Sequence, residues 1–171
     1  MQYQCTLCGQ FHEDWPAIGF SSPTYYNDLT STEKQELSEL SSDICIIRDK
    51  DQTDYFIRAV LYQKVDGQVE TLHYGVWVSL SQTSFEDYIE HFNDDSYEAT
   101  YFGFLSNNIP SYDSTLGVKT DVVYNGGGSR PEVIPHESQT DFDFVDDYWD
   151  GISFDEAMKR IHAALGDGHG G

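Results

Sequence analysis

The alternation of apolar and polar residues is sharpest on either side of Asp66-Gly67. Asp-Gly is a strong two-residue hairpin signal, because both positions tolerate positive φ. A tip there pairs Leu61 with Leu72, Ala59 with Tyr74, Ile57 with Val76, and Tyr55 with Val78. All eight residues then share one apolar or aromatic face, and a slip of one residue would destroy the match. The opposite face would pair Phe56 with Trp77, Val60 with His73 and Arg58 with Gly75, so partial cover is expected there as well.

Other elements follow from shorter signals. Residues 13–32, with Pro16 and Pro23, read as an irregular segment. Thr30 with Glu33 forms a capping box for a short helix carrying Leu37 and Leu40. Ile44, Cys45, Ile46 and Ile47 form a continuous apolar run that predicts a strand over 43–48. A helix is predicted over 84–92, with Thr83 and Glu86 as its capping box and Phe85, Tyr88, Ile89 and Phe92 on one face. Strands are predicted at 101–105, 115–124 and 131–134, the last two around the turn Asn125-Gly-Gly-Gly128. A final helix starts at Ser153 with Glu156 as cap partner, packs through Phe154, Ala157, Met158, Ile161 and Leu165, and stops at Gly166. The pattern predicts an α+β fold: an antiparallel sheet with helices packed mainly on one face. One domain is expected over 1–165, with a flexible Gly-rich tail at 166–171.

Composition narrows the function. A chain of 171 residues with 39% hydrophobic and 15% aromatic residues can bury a core. Nine Lys+Arg stand against thirty Asp+Glu, giving a net charge of −21. Residues 1–85 carry five basic and twelve acidic groups, and residues 86–171 carry four and eighteen. Such a field repels phosphate backbones and anionic membranes and attracts cations and basic proteins. The expected partner is therefore a basic protein, with no nucleic acid and no membrane. No apolar run approaches the ~18 residues of a membrane span, and no basic-plus-apolar leader is visible at residue 1, so a cytoplasmic location is expected.

Candidate chemistry is sparse. Cys5-x-x-Cys8-Gly9 followed by His12 has the spacing of a zinc knuckle, with Cys45 as a further ligand for a structural zinc. The alternative is a pair of reduced thiols, with Cys45 a core residue whose apolar neighbours make it a poor nucleophile. Three cysteines are too few and odd in number for a secreted disulfide framework. No G-x-S-x-G elbow is present, and Asn125-Gly-Gly-Gly-Ser-Arg130 lacks the spacing of a phosphate loop. Asp141, Asp143, Asp146, Asp147, Tyr148, Trp149 and Asp150 crowd together with Phe142 and Phe144. They form either a solvated edge with its aromatics in the core, or an acidic, aromatic docking surface for a basic partner. They do not fit a calcium loop. Arg58 and Arg130, rare cations in this chain, read as structural ion-pair partners.

The order of motifs resembles a bacterial family catalogued as domain of unknown function 2199. The resemblance rests on Cys5-x-x-Cys8-Gly-x-x-His12, Asp43-x-Cys45-x-Ile47, Tyr55-Phe-Ile-Arg58, Gly75-Val-Trp-Val-Ser-Leu-Ser81, Tyr101-Phe-Gly-Phe-Leu105, Tyr112-x-x-Thr115-Leu116, Arg130-Pro131 and Gly151-Ile-Ser153. It extends over about residues 4–165. The family carries an Asp-His-Pro-Leu segment where this chain has Asp141-Phe142-Asp143-Phe144, so the His and Pro are absent here. The resemblance implies a bacterial source and treats the Cys/His group as a unit, but it names no activity. Three expectations stand. The first is an acidic protein-binding domain, by analogy an immunity or inhibitor protein that blocks a toxin. The second is an accessory domain with a structural zinc. The third is a small hydrolytic enzyme using Cys5, Cys8 and His12, or the Arg58–His73–Trp77 strand face.

Overall fold

The computed structural model describes residues 2–4 and 9–166. Strands β1 (Tyr3–Gln4) and β2 (Phe11–His12) form a separate two-stranded ribbon. β3 (Ile18–Gly19), α1 (Thr24–Asn27), α2 (Ser31–Leu37), β4 (Ser38–Leu40) and β5 (Ile44–Arg48) lead to the long strands β6 (Thr53–Gln63) and β7 (Leu72–Leu80). Then come α3 (Gln82–His91), β8 (Ala99–Leu105), β9 (Lys119–Tyr124), β10 (Glu132–Pro135), α4 (Asp143–Asp150) and α5 (Phe154–Gly166). No helix among the described residues is long and apolar enough to cross a membrane.

The sheet closes on itself, which overturns the expected antiparallel sheet with helices on one face. Strands β6, β7, β8, β9 and β10 pair in turn, and β10 returns to β6 in parallel, giving a five-stranded mixed barrel with β3, β4 and β5 as extensions. The closing contact sets Glu132 beside Val60, and Val60 N–H donates to Pro131 O at 2.9 Å. β6 is long enough to serve two neighbours on the same edge. Its first half pairs with β5, from Ile44↔Ile57 to Arg48↔Thr53, and its second half meets β10. Ile57, Ala59, Leu61, Val76, Val78, Leu105, Val122 and Val133 point inward and are buried. Alternating patterning reads the same for a one-sided sheet and for a barrel wall, so closure left no local trace. Gly103 shows how tightly the wall is drawn. A Cβ there would lie 2.8 Å from Ser79 O and 3.1 Å from Val122 Cγ2.

The hairpin keeps its predicted faces and shifts its register by two. Ile57 pairs with Val78, Ala59 with Val76, Leu61 with Tyr74 and Gln63 with Leu72. Ile57 does not oppose Val76, nor Leu61 Leu72. A shift of two leaves every side chain on its face, so the apolar match survives. The turn at Asp66-Gly67 exists, with Gln68 N–H donating to Val65 O and Gly67 at φ 71°, but it sits inside a wider connection. The connection is held by the C-terminal region instead: Val65 bridges Ile152, Ile152 N–H donates to Lys64 O, and Asp66 N–H donates to Ile152 O.

Three helices pack at the ends of the β6–β7 hairpin, α3 at one and α4 and α5 at the other. α3 is capped by Ser81, which accepts from Ser84 N–H, rather than by Thr83. Its Phe85 packs at a tilt against Tyr55, and its Tyr88 packs against Tyr101 and Tyr124. Ile89, expected on that apolar face, is 43% exposed. At the opposite end α4 and α5 bury Phe144, Val145, Ala157, Met158 and Ile161. The capping box of Thr30 and Glu33 is present as predicted.

Candidate interaction surface

Outward positions on β6, β7 and β8 carry an unusual load of rings: Phe56 and Tyr62, Trp77, and Phe102 and Phe104. Part of this outer face is roofed by residues 18–29. β3 pairs in parallel with β7, Phe20 N–H donates to Gly75 O, and Trp77 Nε1 donates to Phe20 O at 3.0 Å. Asn107 fastens the roof. Its Oδ1 accepts from Trp77 N–H at 2.7 Å, and its Nδ2 donates to Ser22 O at 2.9 Å. Beneath lies a small second core of Cys45, Ile47, Phe56 and Trp77, closed by Phe20, Tyr26 and Leu29.

The roof stops short of β8 and leaves a groove of about 580 Å³. Phe56 and Ser79 lie along it, together with Tyr25, Phe104 and Phe102. Tyr25 stacks on Phe56 with centroids 5.9 Å apart, and Phe102 meets Phe104 edge-on at 5.0 Å. Tyr25, Phe102 and Phe104 are 44%, 46% and 41% exposed, a clustering of rings in water that burial alone does not require. Acidic groups flank the strip. Asp54 lines the groove, and beyond Phe102 the His136 ring, 5.7 Å away, is bonded to Asp121 at 2.8 Å.

A second cavity, about 390 Å³, lies where Tyr74 and Arg160 meet β3 and the end of α5. Its charge is already spent. Arg160 donates to Glu156 at 2.9 Å, to the Tyr74 hydroxyl at 3.2 Å and to the Tyr112 hydroxyl at 2.7 Å. Tyr112 in turn donates to Asp147 at 2.7 Å. Burial pushes the Tyr112 hydroxyl well above the usual tyrosine range, and the bond to Asp147 adds to the shift. This network ties α4, α5 and the barrel end together.

The sequence-predicted ligands are dispersed. Cys5 and Cys8 lie outside the described residues. His12 sits in β2, stacked on Tyr3 with centroids 5.4 Å apart. Cys45 is fully buried in the second core, where burial pushes its thiol up to about 12. Among the described residues no group of three His, Cys, Asp or Glu side chains could hold a metal ion. Because only the thiolate is a nucleophile, Cys45 is expected to stay unmodified by a thiol reagent at pH 8 in a Cys5→Ser, Cys8→Ser background. It should react on addition of denaturant. Mass spectrometry showing labelling of the folded protein would contradict this placement.

The acidic 141–150 run divides in two. Asp141, Asp143, Asp146 and Asp150 face solvent, and Trp149 is 42% exposed while donating to Pro135 O at 3.2 Å. Asp147 turns to Tyr112, Tyr148 packs beside Phe144, and Phe144 is fully buried. The surface the sequence reading missed comprises Tyr25, Phe102 and Phe104. In Tyr101-Phe-Gly-Phe-Leu105 the inward residues are Tyr101, Gly103 and Leu105, so alternation alone would have set both phenylalanines outward.

The family model described as an uncharacterised protein conserved in bacteria, DUF2199, matches residues 4–152. No curated protein and no solved structure matches the chain.

Proposed function

The chain belongs to the bacterial DUF2199 family, and we propose that it works by binding a basic protein, with the aromatic groove on the outer barrel wall as the docking site. The observation that carries this reading is the exposed trio Tyr25, Phe102 and Phe104 around a groove of about 580 Å³ on a chain of net charge −21. Rings that lose water at an interface supply most of its affinity. A strong single-sign field supplies encounter rate and selects partners of opposite charge. Asp54 and Asp121, beside the rings, extend that field to the groove, and the exposed aspartates of 141–150 add to it at longer range. An inhibitor that covers a basic toxin has this surface chemistry.

The test starts with the protein recovered on the wild-type domain from its native host. The partner is then purified and its binding kinetics are measured across a salt series. A Phe102→Ser, Phe104→Ser variant is expected to lose about 2 kcal/mol, roughly 30-fold in affinity, mainly through faster dissociation. Asp54→Lys with Asp121→Lys is expected to slow association and flatten its salt dependence. A partner that is acidic, or that binds the phenylalanine variant as tightly as wild type, would refute the proposal.

A further inference from the structure

Strand register shapes the floor of the aromatic groove. Across β6, β7 and β8, Phe56 pairs with Ser79 and Ser79 with Phe104. Neighbouring strands lie about 4.8 Å apart, so Phe56 and Phe104 stand roughly 10 Å apart with only the small side chain of Ser79 between them. Phe56 is buried and carries the stacked Tyr25 ring, which forms the wall on that side. Phe104, met edge-on by Phe102, forms the other wall. Asp54 and Phe102 lie two residues back along β6 and β8, on the same outer face, and both line the groove. The result is a slot over Ser79 with rings on both flanks and a carboxylate at one end.

The polar groups of the slot favour one kind of occupant. Among the described residues that line it, Asp54 is the only charged one. It is half-buried, and its side-chain partner is the neutral Gln52, whose Nε2 donates to Oδ1. No Lys, Arg or His among the described residues pairs with it, so Oδ2 is left to an outside donor. The half-buried Ser79 and Ser84 bring hydroxyl oxygens that can accept as well. The start of α3 also reaches the groove, but Ser81 Oγ already caps it, accepting from Ser84 N–H at 3.2 Å. An anion would meet both Asp54 and the field of a chain of net charge −21. An apolar anchor would strip water from Asp54 and return no hydrogen bond. A cation satisfies the carboxylate and is attracted to the ring faces. Of the two cationic side chains, lysine carries a compact, strongly hydrated ammonium. Arginine carries a flat, weakly hydrated plane that stacks on rings while its edge donates to a carboxylate.

We propose that the slot over Ser79 receives an arginine side chain of the basic partner, with its guanidinium flanked by Tyr25 and Phe104 and its edge donating to Asp54. This inference rests on the reading of the groove as a docking site and names the residue that enters it. The net charge attracts lysine and arginine alike, so the field by itself selects only a basic protein. The slot adds discrimination between the two, because it combines ring faces with an acceptor that needs a directed donor.

The test is an NMR titration of the full chain, at constant ionic strength, with N-acetyl-arginine amide, N-acetyl-lysine amide and N-acetyl-phenylalanine amide. The arginine probe is expected to shift the backbone amides of Ser79 and Phe104 saturably, with a dissociation constant of about 1–10 mM. The lysine probe should bind about fivefold more weakly, and the phenylalanine probe should not saturate. Asp54→Asn, which keeps the shape and removes the charge, should weaken the arginine probe about tenfold. Ser79→Leu, which fills the floor and keeps Asp54 and the rings, should abolish its binding. Equal affinity for the arginine and lysine probes would overturn the guanidinium assignment. Tighter binding of the phenylalanine probe, no saturable shift with any probe, or an Asp54→Asn variant that binds like wild type would overturn the site. Should Ser79→Leu fail to fold, the three probes and Asp54→Asn decide the question. These probes need no partner, so a negative result strikes the arginine slot alone, and the partner kinetics of the Phe102→Ser, Phe104→Ser variant judge the docking reading separately.

Discussion

Arg160→Ala is expected to lower the unfolding free energy by about 3–5 kcal/mol, the usual cost of removing one partner from a buried ion pair. The Arg160 side chain is 4% exposed, and its three donor contacts reach α5, β7 and the Tyr112 segment. Alanine would leave the Tyr74 hydroxyl and Glu156 without their donor and open space at the base of the 390 Å³ cavity. Burial works to lower the pKa of Arg160, yet the Tyr74, Tyr112 and Glu156 contacts hold it above the usual arginine range, so it stays charged. Tyr74→Phe removes one of these bonds and should cost only about 1 kcal/mol. Urea denaturation checks both. An Arg160→Ala loss no larger than that of Tyr74→Phe would mean the network contributes little to stability.

The second large effect is expected at Trp77. Trp77→Ala should destabilise by about 3–5 kcal/mol, through lost transfer energy and the cavity left behind. Trp77 is fully buried although it points away from the barrel interior, because residues 18–29 cover it. The loss should also be local. Without the Nε1 bond to Phe20 O, amide exchange is expected to speed up at Phe20 and Thr24, which are held by Gly75 O and Ser106 O. Phe102→Ala is the comparison: at 46% exposure on the same outer wall it should change stability by no more than about 0.5 kcal/mol. If the two substitutions cost the same, the division of this face into roofed core and open groove is wrong.

Local signals located most of the elements. The capping box at Thr30, the apolar run at Ile44–Ile47 and the stretch around Phe85 and Tyr88 each correspond to an observed element, with ends shifted by a few residues. Such signals arise between residues close in sequence, so they are present in the chain whatever lies around it. The site was harder to see. Phe102 and Phe104 were legible as a strand, but whether an outward ring is covered depends on where residues 18–29 travel. Trp77 and Phe104 have similar local contexts, and only the path of the roof buries one and exposes the other. Arg58 was read as an ion-pair partner because an acidic chain offers many. Among the described residues the nearby Asp43 carboxylate is bound by Arg130 instead, and the Arg58 guanidinium lies over the Trp77 ring.

The hairpin shows the same division most simply. Alternation in β6 and β7 determined which face of each strand is apolar, and that assignment holds in the structure. It did not determine register, because a shift of two residues leaves every side chain on the same face. Choosing between the two registers fell to Val65 and Ile152, whose pairing widens the connection beyond the Asp66-Gly67 turn. Closure of the barrel was decided in the same way, by Val60 meeting Glu132 across a long stretch of chain. A backbone pairing of that kind needs no particular side chain, so it is written in the packed structure and not in the pattern of residues.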